Sequence, residues 1–146
     1  MLCLMIIKTQ LGSSALADER LKTDCHNTLE KARLWIRATD FNAPEEEKTR
    51  VKSAINIANQ ACRLAKESAP DDGEVLVNSA YALFAAEKKK EAVKLIQEAS
   101  EIGYPPAMVM MARYLGQGKY MEKDSEGAWL LLIKTLKTKH DVARIQ

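Results

Sequence analysis

The sequence predicts an all-α fold, a right-handed α-solenoid of about three helical hairpins. Small and apolar residues recur at a fixed spacing. Ala58, Cys62 and Ala65 are followed 34 residues later by Ala92, Ile96 and Ala99, and Ala92 is followed after 36 residues by Ala128. A period in this range is typical of stacked helical hairpins. The composition agrees, because 47% of the 146 residues are hydrophobic and only 5% are aromatic, which suits alanine-rich helix packing.

Two helices are predicted in the first half of the chain. The first spans Asp18 to Thr39, because its apolar residues fall at steps of three and four on one face: Leu21, Cys25, Leu29, Ala32 and Ile36. The segment Phe41-Asn42-Ala43-Pro44 ends it. A second helix is predicted from Pro44 to about Ser68, with Asn42 as its N-cap and three glutamates in its first turn, where the helix dipole favours anions.

Four more helices are predicted after the turn Pro70-Asp71-Asp72-Gly73, which also caps the third helix. They span residues 74–86, 89–102, 105–115 and 124–137. Gly103 is a natural left-handed stop for the fourth helix. Gly116-Gln117-Gly118 is expected to end the fifth, because two glycines so close together weaken a helix. The tail to Gln146 is expected to form a truncated seventh helix or a cap.

The residues of the second half resemble the tetratricopeptide repeat family. With Gly73 as the first position of a unit, the family's three small positions are all alanine, at Ala80, Ala92 and Ala99. The last unit resembles the Sel-one-like branch of that family, at Ala107, Met111, Ala112, Gly118, Asp124 and Ala128. The preceding unit matches in its second helix alone, through Ala58, Ala65 and Pro70. Two turns depart from the family pattern, because Glu87-Lys88 stands where glycine or asparagine is usual and Tyr120 replaces a loop glycine.

These boundaries divide the chain into four segments. They are a truncated signal peptide at 1–17, an N-terminal helical hairpin at 18–70, a tetratricopeptide-like unit at 71–103, and a Sel-one-like unit with a C-terminal cap at 104–146.

The N-terminal segment predicts export. Residues 2–7 are apolar, and Ala15-Leu16-Ala17 has the form of a signal-peptidase site. The apolar run is short and Lys8 follows it rather than precedes it, so the alternative is an ordinary N-terminal tail of a cytoplasmic protein. We therefore expect a periplasmic or secreted protein, with a cytoplasmic one as the alternative. No other stretch approaches the length of a membrane span, so none is expected in the mature chain.

The cysteines predict one disulfide. If the first two helices are antiparallel, residues whose numbers add to about 86 lie opposite each other, and Cys25 and Cys62 fit this register. Both lie on the inward stripes, so their side chains can come within disulfide distance. In an exported chain they would be bonded, and in a cytosolic chain they would be two buried thiols. Cys3 would be removed with the signal peptide.

Charge and motif content exclude several classes of function. The formal charge of +2 comes from 22 basic and 20 acidic residues that are mixed along the chain, so no nucleic-acid partner is expected. Cys25-His26 and His140-Asp141 are the closest approach to a nucleophile with a base, but adjacent helical residues point about 100° apart. We expect no enzyme, no catalytic residue, no metal, no cofactor and no small-molecule ligand.

The resemblance implies a protein-binding surface on the first helix of each hairpin. Carried over position by position, the partner-contacting residues are Glu74, Val77, Asn78, Tyr81, Phe84, Val109, Met110 and Arg113. The partner would be a protein or an extended or helical peptide. The competing interpretation for Tyr81 and Phe84 is packing against the neighbouring hairpin.

The function this predicts is an interaction module in a bacterial envelope or secretion-related assembly. A cytosolic adaptor or regulatory subunit is the alternative, and a disulfide-stapled repeat hydrolase is the third hypothesis.

Overall fold

Helices account for nearly all of the regular structure of this protein, as the sequence predicts. The computed structural model describes residues 2–40 and 42–143, and it describes side chains for residues 15–40 and 42–137. Over that range there are six helices and no strand. The helices are α1 (Leu2–Ala38), α2 (Glu45–Ser68), α3 (Gly73–Ala85), α4 (Lys89–Glu101), α5 (Pro105–Gln117) and α6 (Ser125–Ala143). The all-α prediction is confirmed.

The helices form two compact units, one ending at Pro70 and the other beginning at Asp71. In the N-terminal unit α1 packs against α2. In the C-terminal unit α3 packs against α4, α4 against α5, and α5 against α6.

The core of the N-terminal unit is formed by two short inward stripes. Cys25, Leu29 and Ala32 of α1 are buried, as are Ala58, Cys62 and Ala65 of α2. The Ser68 hydroxyl at the end of α2 donates a hydrogen bond to the Asp18 carboxylate on α1. Only a few side chains, most of them small, are therefore buried in this hairpin.

The core of the C-terminal unit is built on alanines at the helix contacts. Ala80, Ala92, Ala99 and Ala107 are fully buried, and Ala112 and Ala128 nearly so. Because a methyl group is all that projects at these positions, the facing backbones can approach closely. Larger side chains such as Leu76 and Ile96 fill the space between these contacts.

Two helix starts are fixed by aspartates. Asp72 accepts hydrogen bonds from the backbone N–H of Glu74 at 3.0 Å and of Val75 at 3.1 Å, so the predicted cap of α3 is confirmed. The Asp124 carboxylate accepts from the Gly127 N–H at 2.8 Å at the start of α6. The predicted cap by Asn42 is wrong, because Pro44 is the N-cap residue of α2 and makes no side-chain cap bond. The Asn42 N–H instead donates to Asp40 at 3.1 Å.

Three helix boundaries differ from those predicted. α1 begins at Leu2 rather than Asp18, since no proline interrupts the sequence before Ala38. α5 continues through Gly116 to Gln117, because one glycine inside a helix costs only about 1 kcal/mol. α6 continues to Ala143, where a break before a seventh helix is expected from the sequence. Phe41, the side chains of residues 1–14 including Cys3, and those of His140 and Asp141 lie outside the described part of the chain.

Helices α3, α4 and α5 end in the same hydrogen-bonded turn. Each has a left-handed residue at its end: Glu87 (φ 60°), Gly103 (φ 85°) and Gly118 (φ 64°). The N–H of the following residue donates to the carbonyl oxygen five residues earlier, at 2.9, 3.0 and 3.0 Å respectively. This is the Schellman motif, in which glycine is the usual left-handed residue. Glu87 is the exception among these three turns.

We expect Glu87→Gly to stabilise the C-terminal unit by about 0.5–1 kcal/mol, because it removes the clash of Cβ with the backbone that a left-handed residue carries. The exposed ion pair of Glu87 with Lys89, at 2.8 Å, contributes little that would be lost. Denaturant unfolding measures the change. Lys94→Gly on the exposed side of α4 is the control and should destabilise by about 1 kcal/mol. If Glu87→Gly destabilises the protein as much as Lys94→Gly does, the proposed backbone strain at Glu87 is contradicted.

Candidate partner-binding surface

The structure divides the eight predicted partner-contacting residues by their exposure. Val77 and Met110 are buried, Asn78, Tyr81 and Phe84 are half-buried, and Glu74, Val109 and Arg113 are exposed. All of them belong to α3 or α5, in the C-terminal unit. The two buried residues contribute packing beneath the surface rather than contacts to a partner.

Helices α3 and α5 contact each other at the Tyr81 and Met110 side chains. The Tyr81 hydroxyl donates a hydrogen bond to the Met110 sulfur, at an Oη–Sδ distance of 3.5 Å. Val77 and Met110 belong to one core cluster, and Tyr81 and Phe84 pack against it. We call the outward side of this pair the α3–α5 surface, defined by Glu74, Asn78, Tyr81, Val109 and Arg113.

An aromatic cluster borders the α3–α5 surface. The ring centroid of Tyr120 lies 5.9 Å from that of Phe84 and 5.2 Å from that of Tyr114, with the two tyrosine rings nearly perpendicular. The Lys119 ammonium lies 5.1 Å from the centre of the Tyr120 ring. Edge-to-face and cation–π contacts of this kind each contribute about 0.5–1.5 kcal/mol. They offset the left-handed conformation of Tyr120, whose φ is 70°.

Sequence reasoning missed Tyr114 and Tyr120 as members of this region. The signal that could have found them is the departure from the family pattern at Tyr120. A bulky residue in a position that favours glycine needs compensating contacts, and aromatic neighbours are the natural source.

Two tyrosines next to this surface have a raised pKa. Burial, with help from the nearby Glu74 and Asp72 carboxylates, raises the pKa of Tyr104 above its usual value. Burial also raises the pKa of Tyr114, with a further contribution from Tyr120, while the Arg113 guanidinium acts in the opposite direction. Acidic groups therefore lie beside Tyr104 and a cation beside Tyr114.

The Cys25 and Cys62 sulfur atoms lie 2.05 Å apart, and their Cα atoms 4.4 Å apart. The predicted approach within disulfide distance is confirmed. In this pairing the Cys25 sulfur is not a thiolate and cannot act as a nucleophile. Within the described part of the chain, no group of three or more His, Cys, Asp or Glu side chains is placed to hold a metal ion. Within the same part, no helix has the length and apolar character needed to cross a bilayer.

Comparisons with family models, with curated proteins and with solved structures find no match to this chain. The tetratricopeptide and Sel-one-like resemblance therefore stays a prediction that depends on the residues named above.

Proposed function

We propose that this chain is a non-catalytic protein-interaction module built from tetratricopeptide and Sel-one-like hairpins in a right-handed solenoid. Its α3–α5 surface would hold a peptide or a segment of a partner protein. The observation that supports this most is the direct contact of α3 with α5 at Tyr81 and Met110. In stacked hairpins the first helices of successive units lie side by side and line a common concave surface.

The alanine contacts support the same arrangement. Ala80, Ala92 and Ala99 occupy the three small positions of one repeat unit and are fully buried. Thirty-six residues after Ala92, Ala128 is buried where α6 packs on α5. A buried alanine at this spacing in two successive helix pairs supports a repeat.

The chemistry of the α3–α5 surface suits an extended peptide. The Asn78 amide can both donate to and accept from a peptide backbone. Val109, which is 47% exposed, offers an apolar contact. Glu74 and Arg113 provide charges of opposite sign on the two helices, so we expect a bound peptide to carry a base and an acid at complementary positions.

We expect the double substitution Tyr81→Ala and Arg113→Glu to weaken peptide binding at least about tenfold, because it removes an aromatic contact and reverses a charge on the two helices together. A random peptide display library, selected against the wild-type protein, supplies the probe. Binding of the selected peptides is then compared between wild type and variant by fluorescence anisotropy.

The matched control is Leu34→Ala with Lys31→Glu on α1. It removes an exposed apolar side chain and reverses an exposed charge in the other unit. Helicity and thermal midpoint of all variants must match the wild type. Selected peptides that bind the Tyr81 and Arg113 variant as tightly as wild type would contradict the proposed surface, as would a selection that yields no binder.

We further propose that the module works after export, in a bacterial envelope or secretion-related assembly. The Cys25–Cys62 pairing supports this, since disulfides persist in oxidising compartments and are rare in the cytosol. The Ala15-Leu16-Ala17 sequence supports it independently. A cytosolic adaptor is the alternative, and it would keep both cysteines reduced.

We expect protein isolated from its native compartment to show at most one alkylatable thiol when it is denatured without reductant. The chain has three cysteines, so Cys3 alone would react, or none if the leader has been removed. Mass spectrometry after alkylation counts the adducts. Three adducts would contradict export and favour the cytosolic adaptor. The same count after reduction confirms that every remaining cysteine is accessible to the reagent.

A further inference from the structure

The outer side of α6 is a continuous apolar stripe. Trp129, Leu130, Ile133 and Leu136 are 67%, 61%, 42% and 68% exposed. They share one side of the helix, because Ile133 is three or four residues from each of the other three. The opposite side, with Ala128 and Thr135, is buried in the C-terminal unit. We call these four residues the α6 stripe.

The corresponding side of α4 is not an exposed apolar stripe. Residues of α4 and α6 correspond at an offset of 36, the same offset that relates Ala92 to Ala128. Val93 and Ser100 of α4 are buried, and α4 packs against both α3 and α5. Their counterparts, Trp129 and Leu136, are larger, more apolar and exposed. The counterparts of Leu130 and Ile133, Lys94 and Gln97, are exposed and polar. The α6 stripe is therefore apolar and exposed at positions where α4 is either buried or polar.

We propose that the α6 stripe is a self-association surface, on which α6 of a second copy packs antiparallel about a two-fold axis. An axis between Leu130 and Ile133 places Leu130 against the partner's Ile133, and Ile133 against the partner's Leu130. The patch is thus self-complementary, as an isologous dimer interface must be.

The charges at the ends of the stripe favour this occupant. Glu126 lies four residues before Leu130, and Lys137 lies four residues after Ile133; both are exposed. The register that pairs Leu130 with Ile133 therefore also brings Glu126 against the partner's Lys137 at each end. A parallel pairing would instead oppose like charges, which is unfavourable. One antiparallel register thus pairs both the apolar residues and the opposite charges.

The area of contact predicts a weak dimer. One pair of helices buries less than the roughly 1,200 Å² that marks the lower limit of most stable complexes. We therefore expect a dissociation constant in the micromolar range. The proposal does not depend on peptide binding at the α3–α5 surface.

Sedimentation velocity of the oxidised full chain tests whether the α6 stripe mediates self-association. The chain carries Cys3→Ser, which prevents an intermolecular disulfide through Cys3. The weight-average mass should rise from one chain towards two as the concentration increases. Ile133→Glu, at the axis, should weaken association at least about tenfold, because it buries two carboxylates against leucine. The matched control is Ile57→Glu on α2, where Ile57 is 55% exposed. It should associate as wild type does.

The register is tested by charge reversal. Lys137→Glu should weaken the dimer by about threefold to tenfold, and the double variant Glu126→Lys with Lys137→Glu should restore it to within about twofold of wild type. The proposal is overturned if the chain stays monomeric at several hundred micromolar. This holds even if the α6 stripe binds lipid vesicles or another protein instead. The proposal is also overturned if Ile133→Glu associates as tightly as wild type, or if the double variant associates no more tightly than Lys137→Glu.

Discussion

Cys62→Ala is expected to lower the free energy of unfolding of the N-terminal unit by about 4 kcal/mol, the largest effect of any substitution considered. Cys25 and Cys62 are separated by 37 residues, and closing a loop of that length removes a corresponding amount of chain entropy from the unfolded state. The Cys62 side chain is also fully buried, so its loss leaves a space at the contact of α1 with α2.

The size of this effect reflects how little else stabilises the hairpin. Its buried side chains on α1 are a cysteine, a leucine and an alanine, and those on α2 are two alanines and a cysteine. Exposed ion pairs such as Arg50–Glu46 and Arg63–Glu67 add only tenths of a kcal/mol each. A pair of helices with so small a core is marginal without a covalent link.

Denaturant unfolding of oxidised wild type, reduced wild type and Cys62→Ala measures the change, and amide hydrogen exchange locates it. Exchange in α1 and α2 should accelerate by about two to three orders of magnitude in the reduced protein. Ile96 and its neighbours in the core of the C-terminal unit should change far less. Cys3→Ala is the control and should leave the transition unchanged. Equal stability of the oxidised and reduced protein would contradict this role for the disulfide.

Ala92→Leu is expected to destabilise the C-terminal unit by about 3 kcal/mol, at the upper end of the usual cost of overpacking. Ala92 is fully buried in the cluster that α3, α4 and α5 share. A branched side chain there must push a neighbouring helix away, and the contacts of Leu76, Ala80 and Ile96 would loosen with it.

Thermal and denaturant unfolding measure this loss, with Gln97→Leu as the matched control. Gln97 is exposed on the same helix, so the same leucine there should change stability by no more than about 0.5 kcal/mol. Peptide binding at the α3–α5 surface should weaken in Ala92→Leu, because displacement of α4 disturbs the two helices it supports. An Ala92→Leu variant that is as stable as the wild type would contradict the close approach of these helices.

The parts of the fold that follow from local physics could be predicted from the sequence. The helical spacing of Cys25, Leu29 and Ala32 predicts the inward stripe of α1, and the antiparallel register predicts that Cys25 meets Cys62. Helix ends were less predictable, because they depend on small differences in free energy. Gly116 costs α5 about 1 kcal/mol, which neighbouring contacts outweigh, and the helix continues to Gln117.

The contact of α3 with α5 could be predicted from the sequence, but its details could not. The repeat spacing led to α3 and α5, which do meet at Tyr81 and Met110. It could not show that Val77 and Met110 turn inward, because that depends on how closely the two helices approach. It also could not show Tyr120 beside Phe84, since this contact requires a left-handed backbone at a tyrosine.

The most direct test of the central claim is an NMR titration of the isotope-labelled protein with a display-selected peptide. If α3 and α5 are the first helices of successive repeats that share one binding surface, the amides of Asn78, Tyr81, Val109 and Arg113 should shift together with a single affinity. Shifts confined to α4, to α6 or to the N-terminal unit, with α3 and α5 unchanged, would contradict it.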